Sequence, residues 1–229
     1  MTSETDRIRE RYARRKECFA SLYDPTGPAV SRIIEERQRT IAGIFRRAGL
    51  VPVRDKRVLE IGCGKGTNLL HLLIQGFRPE NLVGNELIEE RAREARHLLP
   101  AATEVITGDA CELDLPDESF DIVLQSTVFT SILDDEFQKR LADRMWALVK
   151  PGGGVLWYDF VYSNPRNPDV RGVPLRRVRE LFPDGKVKRW RVTLAPPIAR
   201  RVVGIHPALY TLFNAMPFLR THILCWIVK

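Results

Sequence analysis

The stretch from residue 58 to residue 70 constrains the fold more than any other part of the chain. Residues 58–61 are an apolar run typical of a buried strand, and residues 69–74 are an apolar run typical of a helix. Between the two runs, every second residue is glycine, at Gly62, Gly64 and Gly66. Strand, glycine turn and helix in this order predict the first βα turn of a nucleotide-binding α/β sheet.

The spacing of these glycines excludes two common nucleotide loops. Asn68 stands where the dinucleotide fingerprint requires its third glycine, and Gly66 interrupts the Gly-Lys-Ser/Thr that a P-loop requires. The glycines still predict a close ligand, because side chains there would hold the backbone away from a molecule at the helix N-terminus.

The rest of the chain predicts an α/β fold with a doubly wound, mostly parallel sheet. About fifty residues of helix come first, a charged helix over 1–23 and, after a turn at 24–28, a helix capped by Ser31 and ending at Gly49. Strands are predicted at 57–61, 81–85, 104–107, 120–125, 155–160, 187–194 and 221–228. Further helices are predicted at 67–75, 88–98 and 175–182. Another helix is predicted to be capped by Asp134 and to be broken by the Pro-Gly run at 151–154.

Three regions follow from this order within a single domain of 229 residues. Residues 1–50 are expected to form a helical lid or packing layer, and residues 51–160 the cofactor-binding core. Residues 161–229 are expected to complete the sheet, with a substrate-pocket insert in the apolar segment 198–219, which Pro207 and Pro217 break.

Charge is distributed unevenly along the chain. The net charge of +7 divides into +4 for residues 1–50, −7 for 51–160 and +10 for 161–229, where 13 Lys and Arg face three Asp and Glu. Such a basic region suits an anionic partner, namely a phosphorylated or carboxylated substrate, nucleic acid or an anionic membrane surface, although a solvated surface is the alternative.

Cysteine usage and the lack of targeting signals predict a cytoplasmic protein, with peripheral contact at the inner face of a membrane left open. The N-terminus is charged throughout, and no apolar run reaches the ~18 residues of a transmembrane helix. The four cysteines are scattered without metal-ligand spacing, so we expect reduced thiols and no metal site; they are Cys18, Cys63, Cys111 and Cys225.

Polar residues end the successive predicted strands. Glu86 lies 24 residues after Gly62, near the spacing of a carboxylate that accepts both ribose hydroxyls, although an acid favoured by the helix dipole is the alternative. Asp109 is placed to accept from an adenine amino group, and the backbone N–H of Ala110 is free to donate to the ring. Gln125, with the two small polar residues after it, could hold an amino-acid tail.

This series of motifs, at 60–66, 84–86, 108–110, 120–125 and 148–154, resembles that of class I S-adenosylmethionine-dependent methyltransferases. The resemblance covers roughly residues 55–160 and implies S-adenosylmethionine as cofactor and a reversed hairpin of strands 187–194 and 221–228. Asn85 departs from the family pattern, which usually has a small apolar residue there. The implied cofactor-binding residues are Glu60, Gly62, Cys63, Gly64, Gly66, Glu86, Leu87, Asp109, Ala110 and Gln125.

Methyl transfer to an alcohol also requires a base near the hydroxyl proton. The candidates are Asp159, at the end of the fifth strand, and His206, in the apolar segment; structural roles are the alternative for both. The Arg14–Lys16 run could meet an anionic group from the predicted lid, although a solvated helix face is the alternative.

Three functions therefore stay open at this stage. The first is methylation of a hydroxyl on a sugar, glycan or secondary metabolite, anionic or lipid-linked, and it fits the basic, apolar C-terminal third. The second is RNA methylation through that basic surface. The third is a non-catalytic binding module with the same fold. DNA base methylation is disfavoured, because neither the amino-methylase motif nor a Pro-Cys nucleophile is present. The acceptor and the oligomeric state do not follow from the sequence.

Overall fold

A computed structural model describes residues 3–19, 26–165 and 167–229 of the chain, with the side chains of 15–19 excepted. Its helices are α1 Glu4–Phe19, α2 Pro28–Arg47, α3 Thr67–Ile74, α4 Glu89–Leu98, α5 Asp135–Leu148, α6 Leu175–Leu181, α7 Pro196–Ile205 and α8 Ala208–Asn214. Its strands are β1 Val58–Ile61, β2 Leu82–Glu86, β3 Glu104–Thr107, β4 Phe120–Ser126, β5 Val149–Phe160, β6 Lys186–Leu194 and β7 Arg220–Val228.

The seven strands form one sheet in the order β3-β2-β1-β4-β5-β7-β6. Strands β1 to β5 are mutually parallel, whereas β7 pairs antiparallel with both β5 and β6. The predicted doubly wound sheet with a reversed C-terminal hairpin is therefore confirmed. The chain order reverses direction between β1 and β4, and α/β sheets bind ligands at the carboxyl ends of the strands at such a switch point.

Two hydrophobic layers cover the sheet because alternate residues of each buried strand face opposite sides. On one side, Leu59 packs in a cluster with Leu141 and Met145 of α5. On the other side, Val58 packs in a cluster with Phe45 of α2 and with residues of α3. The glycine loop and the ends of the parallel strands lie at the carboxyl edge of the sheet, between these two layers.

Helix α2 begins earlier than the sequence predicts. Pro28 is its first residue and Gly27 occupies the cap position, so the prediction that Ser31 caps this helix is wrong. The Ser31 hydroxyl instead donates to the carbonyl of Pro28 within the first turn. Proline is favoured as the first residue of a helix because its missing N–H and fixed φ suit the first helical turn. Of the predicted turn at 24–28, residues 24 and 25 lie outside the described part of the chain.

The Pro-Gly run at 151–154 also differs from its prediction. Asp134 caps α5 as expected, accepting from the N–H of Phe137, but the helix ends at Leu148 and β5 starts at once at Val149. The run therefore lies inside β5, where the pairing with β4 shifts register between Phe120 and Ile122. Glycine in a strand often marks such an irregularity, so the run interrupts the pairing within one strand rather than separating two elements.

The apolar segment between β6 and β7 folds into α7, α8 and a short 3-10 helix at Pro217–Leu219. Its inner face buries Val203 and Tyr210 in a cluster with Leu194 of β6 and Ala29 of α2. Within the described residues, no helix is long and apolar enough to cross a bilayer.

Candidate functional site

The glycine loop directly follows β1 at the centre of the carboxyl edge. Gly62 and Gly64 have φ values of 65° and 60°, in the left-handed region that side chains rarely adopt. A Cβ on Gly62 would lie 2.6 Å from Cγ2 of Val128, and a Cβ on Gly64 would lie 2.5 Å from Nη2 of Arg91. The loop therefore needs glycine both for its backbone and for the groups that pack on it.

Glu86 ends β2 and lies beneath this loop. Its Oε2 accepts from the N–H of Gly64 at 2.8 Å, and its Oε1 accepts from the N–H of Ile88 at 3.0 Å. The side chain is buried, but each carboxylate oxygen has more than one acceptor site. Glu86 can therefore hold the loop and accept further hydrogen bonds from a ligand.

Arg91 of α4 packs next to Gly64 of the glycine loop, and Tyr12 of α1 lies beside it. The Arg91 guanidinium carbon lies 5.0 Å from the centre of the Tyr12 ring. Burial alone would lower the pKa of Arg91, but the neighbouring Glu86 and Tyr12 raise it overall, so the group stays charged. The arginine thus supplies a counter-charge for the buried Glu86 carboxylate.

A cleft of about 580 Å³, including the part open to solvent, runs from this loop to the end of β3. Its floor includes Asn85, Glu86 and Asp109, and its cover includes Ile8 and Tyr12 of α1. Helix α1 is held there by a buried ion pair between Glu4 and Arg11, 2.6 Å apart, from which Arg11 also donates to the carbonyl of Ser131. The N-terminal helix therefore forms one wall of the cleft.

The end of β3 is shaped by two side-chain hydrogen bonds. Asp109 caps the short 3-10 helix at Ala110–Glu112, its Oδ1 accepting from the N–H of Cys111 at 2.9 Å. Asn85 donates to the carbonyl of Gly108 at 3.1 Å. The residue that departs from the family pattern thus fixes the turn that presents Asp109 to the cleft.

A second polar group lies beside the loop, between β1, α2 and α3. Asn68 donates to Oε1 of Glu60 at 2.6 Å, and Arg37 donates to Oδ1 of Asn68 at 2.8 Å. Glu60 is fully buried, and within the described residues its Oε2 and the Nε of Arg37 are buried without a hydrogen-bond partner. Such orphaned polar atoms require an explanation, and a bound zwitterion is one.

Glu60 and Arg37, the two ionisable members of this group, have different surroundings. Burial, chiefly, raises the pKa of Glu60 to about 7, and the Glu86 charge adds to this, while Asn68, Arg37 and Arg91 oppose it. The Arg37 guanidinium lies 5.0 Å from the centre of the Tyr158 ring and donates to the hydroxyl of Ser126. A carboxylate and a guanidinium linked through one amide could hold the ammonium and carboxylate of an amino acid.

Gln125 and Asp159 lie away from the cleft. The Gln125 amide accepts from the N–H of Val128 at 3.1 Å and donates to Oδ2 of Asp159 at 3.1 Å, while the Thr130 hydroxyl donates to Oδ1 at 2.7 Å. Both Gln125 and Asp159 are fully buried. These bonds support the structural alternative for Asp159, and they show the Gln125 side chain holding the loop after β4 rather than lining the cleft.

His206 lies in the exposed turn between α7 and α8, where its Nδ1 accepts from the N–H of Ala208 at 3.2 Å. The structure therefore brings neither candidate base, Asp159 nor His206, into the cleft. Of the Arg14–Lys16 run, Arg14 forms an ion pair with Asp169 at 2.7 Å, and the other two side chains lie outside the described part of the chain.

The predicted residues Glu60, Gly62, Gly64, Glu86, Asp109 and Ala110 do come together at this edge, and Leu87 lines the cleft with them. Cys63 and Gly66 lie in the same loop; the Cys63 thiol is buried and its pKa is raised mainly by burial, so it packs as a neutral group. The loop, the Glu86 carboxylate and the orphaned atoms of Glu60 and Arg37 are of a chemistry that fits the adenosyl and amino-acid ends of S-adenosylmethionine.

Sequence reasoning missed Arg37, Arg91 and Tyr12 as parts of the site. A signal for Arg37 was available, because it stands three residues after Ile34 and four before Ile41, at a core-facing position of α2. A charged residue at such a position is expected to have a partner. No comparable signal marks Arg91, which is one of several arginines in α4.

Comparison with known proteins gives matches to methyltransferases. Residues 58–153 match a family model described as a methyltransferase domain. The chain is 31% identical over 172 residues to phthiotriol/phenolphthiotriol dimycocerosates methyltransferase 1 of Mycobacterium ulcerans, covering 72% of this chain and 62% of that protein. It is 34% identical over 137 residues to fatty-acid O-methyltransferase of Mycolicibacterium smegmatis, covering 59% of this chain and 48% of that protein. The chain thus spans less than two thirds of these relatives' own length.

Solved structures support the fold. A crystal structure of an S-adenosylmethionine-dependent methyltransferase from Archaeoglobus fulgidus aligns with a TM-score of 0.57 at 18% identity, covering 85% of this chain and 96% of that chain. One from Thermotoga maritima aligns with a TM-score of 0.58 at 17% identity, covering 98% and 99%. At these identities the likeness concerns the fold alone.

Proposed function

The chain belongs to the class I S-adenosylmethionine-dependent methyltransferase superfamily, and on this premise we propose that it methylates an oxygen atom of an anionic, acyl-containing amphiphile. The observation that carries the proposal is the carboxyl edge of the sheet, where the glycine loop, Glu86 and the Glu60–Asn68–Arg37 group converge. When bound, S-adenosylmethionine supplies an electrophilic methyl group on its sulfonium.

The residues of this edge would divide the cofactor between them. Glu86 would accept from the ribose hydroxyls, and Asp109 with the N–H of Ala110 would face the adenine. Glu60 would take the α-ammonium and Arg37 the α-carboxylate, which accounts for the orphaned Oε2 and Nε. These assignments fix both ends of the cofactor and so hold the reactive carbon between them, which is the largest task in an in-line displacement.

The cover of the cleft would exclude water from the same place. Apolar side chains from α1, from the loop after β4 and from α5 face the floor formed by the glycine loop; they include Ile8, Val128, Ile132, Phe137 and Leu141. Exclusion of water strengthens the hydrogen bonds and charges that position the reactants. Helix α1 would therefore act as part of the reaction chamber.

The acceptor oxygen is proposed to be anionic because the described lining of the cleft contains no histidine and its two carboxylates, Glu86 and Asp109, are assigned to the cofactor. Asp159 and His206 both lie outside the cleft. A carboxylate needs no general base, since it is already ionised at neutral pH. A neutral hydroxyl, the acceptor that the sequence predicts, would need one. The +10 charge of residues 161–229 supports an anionic acceptor on independent grounds.

The relatives' names support an acyl acceptor. One acts on fatty acids, and a third relative, 35% identical over 92 residues, is named malonyl-[acyl-carrier protein] O-methyltransferase. Both names specify O-methylation, in one case of a fatty acid and in the other of a malonyl group on acyl-carrier protein. RNA methylation stays as the second candidate because of the same basic region.

A transfer assay with S-adenosylmethionine labelled on its methyl group tests the proposal. The acceptors compared are free fatty acids, lipids bearing only hydroxyl groups, soluble glycans and single-stranded RNA. We expect base-labile methyl ester formed from the fatty acids, and none with Glu60→Gln. The control Glu94→Gln, at a half-exposed acid of α4 that pairs with Lys65, should retain activity. Label that appears only in hydroxyl ethers or in RNA would overturn the assignment of the acceptor.

A further inference from the structure

The segment between β6 and β7 exposes three large apolar side chains to water. Ile205, Leu212 and Phe218 are 75%, 60% and 71% exposed. Ile205 is the last residue of α7, Leu212 lies in α8, and Phe218 lies in the short 3-10 helix. A surface helix normally turns its large apolar side chains to the core, so three that are exposed in one short segment, in addition to its buried ones, suggest a partner surface.

Positive charge surrounds this apolar face. Residues 202–219 contain no Asp, Glu, Lys or Arg, and Arg200, Arg201 and Arg220 flank them. Residues 185–229 contain no acidic residue, and Arg191, which donates to the carbonyl of Pro217, adds a fourth arginine next to the segment. Exposed apolar side chains flanked by arginines match the surface of a bilayer that contains anionic lipids.

We propose that Arg200, Arg201, Ile205, Leu212 and Phe218 form a docking surface for an anionic lipid bilayer. Helices α7 and α8 have 10 and 7 residues, so they are too short to span a membrane and instead lie on it. The three apolar side chains enter the region between head groups and acyl chains. The two arginines stay at the level of the phosphates.

The docking surface and the cleft lie on the same edge of the sheet. Strands β5 and β6 both run antiparallel to β7, so β6 ends at the edge where β1 to β5 end. The segment that joins β6 to β7 therefore projects from the cleft edge. Glu36 of α2, the residue before Arg37, links this segment to the site. Its Oε2 accepts from the Tyr210 hydroxyl at 2.7 Å, and its Oε1 accepts from the Asn214 amide at 2.8 Å.

This placement has a consequence that rests on the proposed function. An acyl acceptor held in the bilayer would meet the protein on the side where its cleft opens. Docking itself does not depend on catalysis and can be measured without it. RNA is less suited to the surface, because two of its three apolar side chains, Ile205 and Leu212, are aliphatic and offer neither stacking nor hydrogen bonds to bases.

Flotation with vesicles tests the docking surface. Vesicles of phosphatidylcholine alone are compared with vesicles containing about 30 mol% phosphatidylglycerol. We expect the full chain to float with the anionic vesicles and less so as salt is raised. The variant Ile205→Ser, Leu212→Ser, Phe218→Ser should bind at least about tenfold more weakly.

Matched controls separate this outcome from others. Ile74→Ser with Leu98→Ser removes two exposed apolar side chains at the ends of α3 and α4, on the opposite edge, and should leave flotation unchanged. Binding of S-adenosylhomocysteine by each variant shows that the fold is intact, and transfer to a soluble short-chain acid tests the proposed function separately. Three results would overturn docking: no flotation of the wild type, equal flotation of the triple serine variant, or apolar residues that mediate only self-association or RNA binding.

Discussion

The backbone N–H of Gly64 donates to Oε2 of Glu86 at 2.8 Å, so the glycine loop after β1 and the acid that ends β2 form one structural unit. The other oxygen of the same carboxylate holds the N–H of Ile88. Glu86 therefore sets the shape of the loop as well as offering acceptor atoms to a ligand.

Replacing Glu86 by alanine is expected to weaken binding of S-adenosylhomocysteine by about 30-fold or more, because a charge-assisted pair of hydrogen bonds is lost and the loop loses its support. Isothermal titration calorimetry measures the change. Glu104→Ala removes an exposed acid at the start of β3 and should bind normally. Equal affinities for the two variants would exclude Glu86 from the site.

Glu86 and the loop were predictable because their positions follow from strand ends alone. Parallel strands meet at one edge, so residues that end them converge whatever packs around them. Arg37, Arg91 and Tyr12 depend instead on how α1, α2 and α4 dock on the sheet, which periodicity does not specify. The same holds for Asp159, whose partner Thr130 lies in a 3-10 helix that no sequence pattern indicated.

Binding of the cofactor is expected to release a proton from Glu60. The pKa of Glu60 is raised to about 7, mainly by burial, and an ammonium beside Oε2 would favour the ionised form. Below pH 7 the carboxyl must lose its proton for binding, so affinity for S-adenosylhomocysteine should rise with pH, by up to about tenfold per unit, and level off above 7.

Calorimetry in two buffers of different ionisation enthalpy checks this release at about pH 6. The variant Glu60→Gln should bind more weakly and show no proton release and no such pH dependence. Glu86 and Arg91 also face Glu60, and they remain in this variant, so it isolates the one carboxyl. Unchanged proton release in Glu60→Gln would place the titrating group elsewhere.

The carboxylate of Glu36 is expected to stabilise the segment between β6 and β7. It accepts from the N–H of Thr193 at 3.1 Å in addition to Tyr210 and Asn214. Glu36→Ala leaves these donors unpaired, and we expect a loss of about 2 kcal/mol in the free energy of unfolding. Urea unfolding measures it.

The neighbour Glu35 provides the control for this prediction. It is exposed and forms ion pairs only with Arg32 and Arg39 of its own helix among the described contacts. Glu35→Ala should therefore change stability by less than about 0.5 kcal/mol. Similar losses in both variants would show that the three bonds to Glu36 contribute nothing specific.

Asp159 is expected to make the protein less stable as pH rises. Burial, against hydrogen bonds from Thr130 and Gln125, raises its pKa from 3.8 to about 7. Below 3.8 the carboxyl is protonated in the folded and the unfolded chain alike. Between the two values only the unfolded chain ionises, so stability falls, and above 7 the full penalty of about 4 kcal/mol applies.

The variant Asp159→Asn removes this titration and keeps the neutral shape, since the Thr130 hydroxyl can accept from the new amide while Gln125 still donates to its oxygen. Its free energy of unfolding relative to wild type should therefore increase between pH 4 and pH 8, as urea titrations at several pH values would measure. Asp121→Asn should show the opposite trend, and only at pH values near and below 3.8: burial alone would raise the pKa of Asp121, but Lys150 and the N–H of Arg57 lower it overall. A flat difference for Asp159→Asn would mean that the buried carboxyl is ionised in the folded protein, and its hydrogen bonds would then have to offset the whole cost of burying a charge.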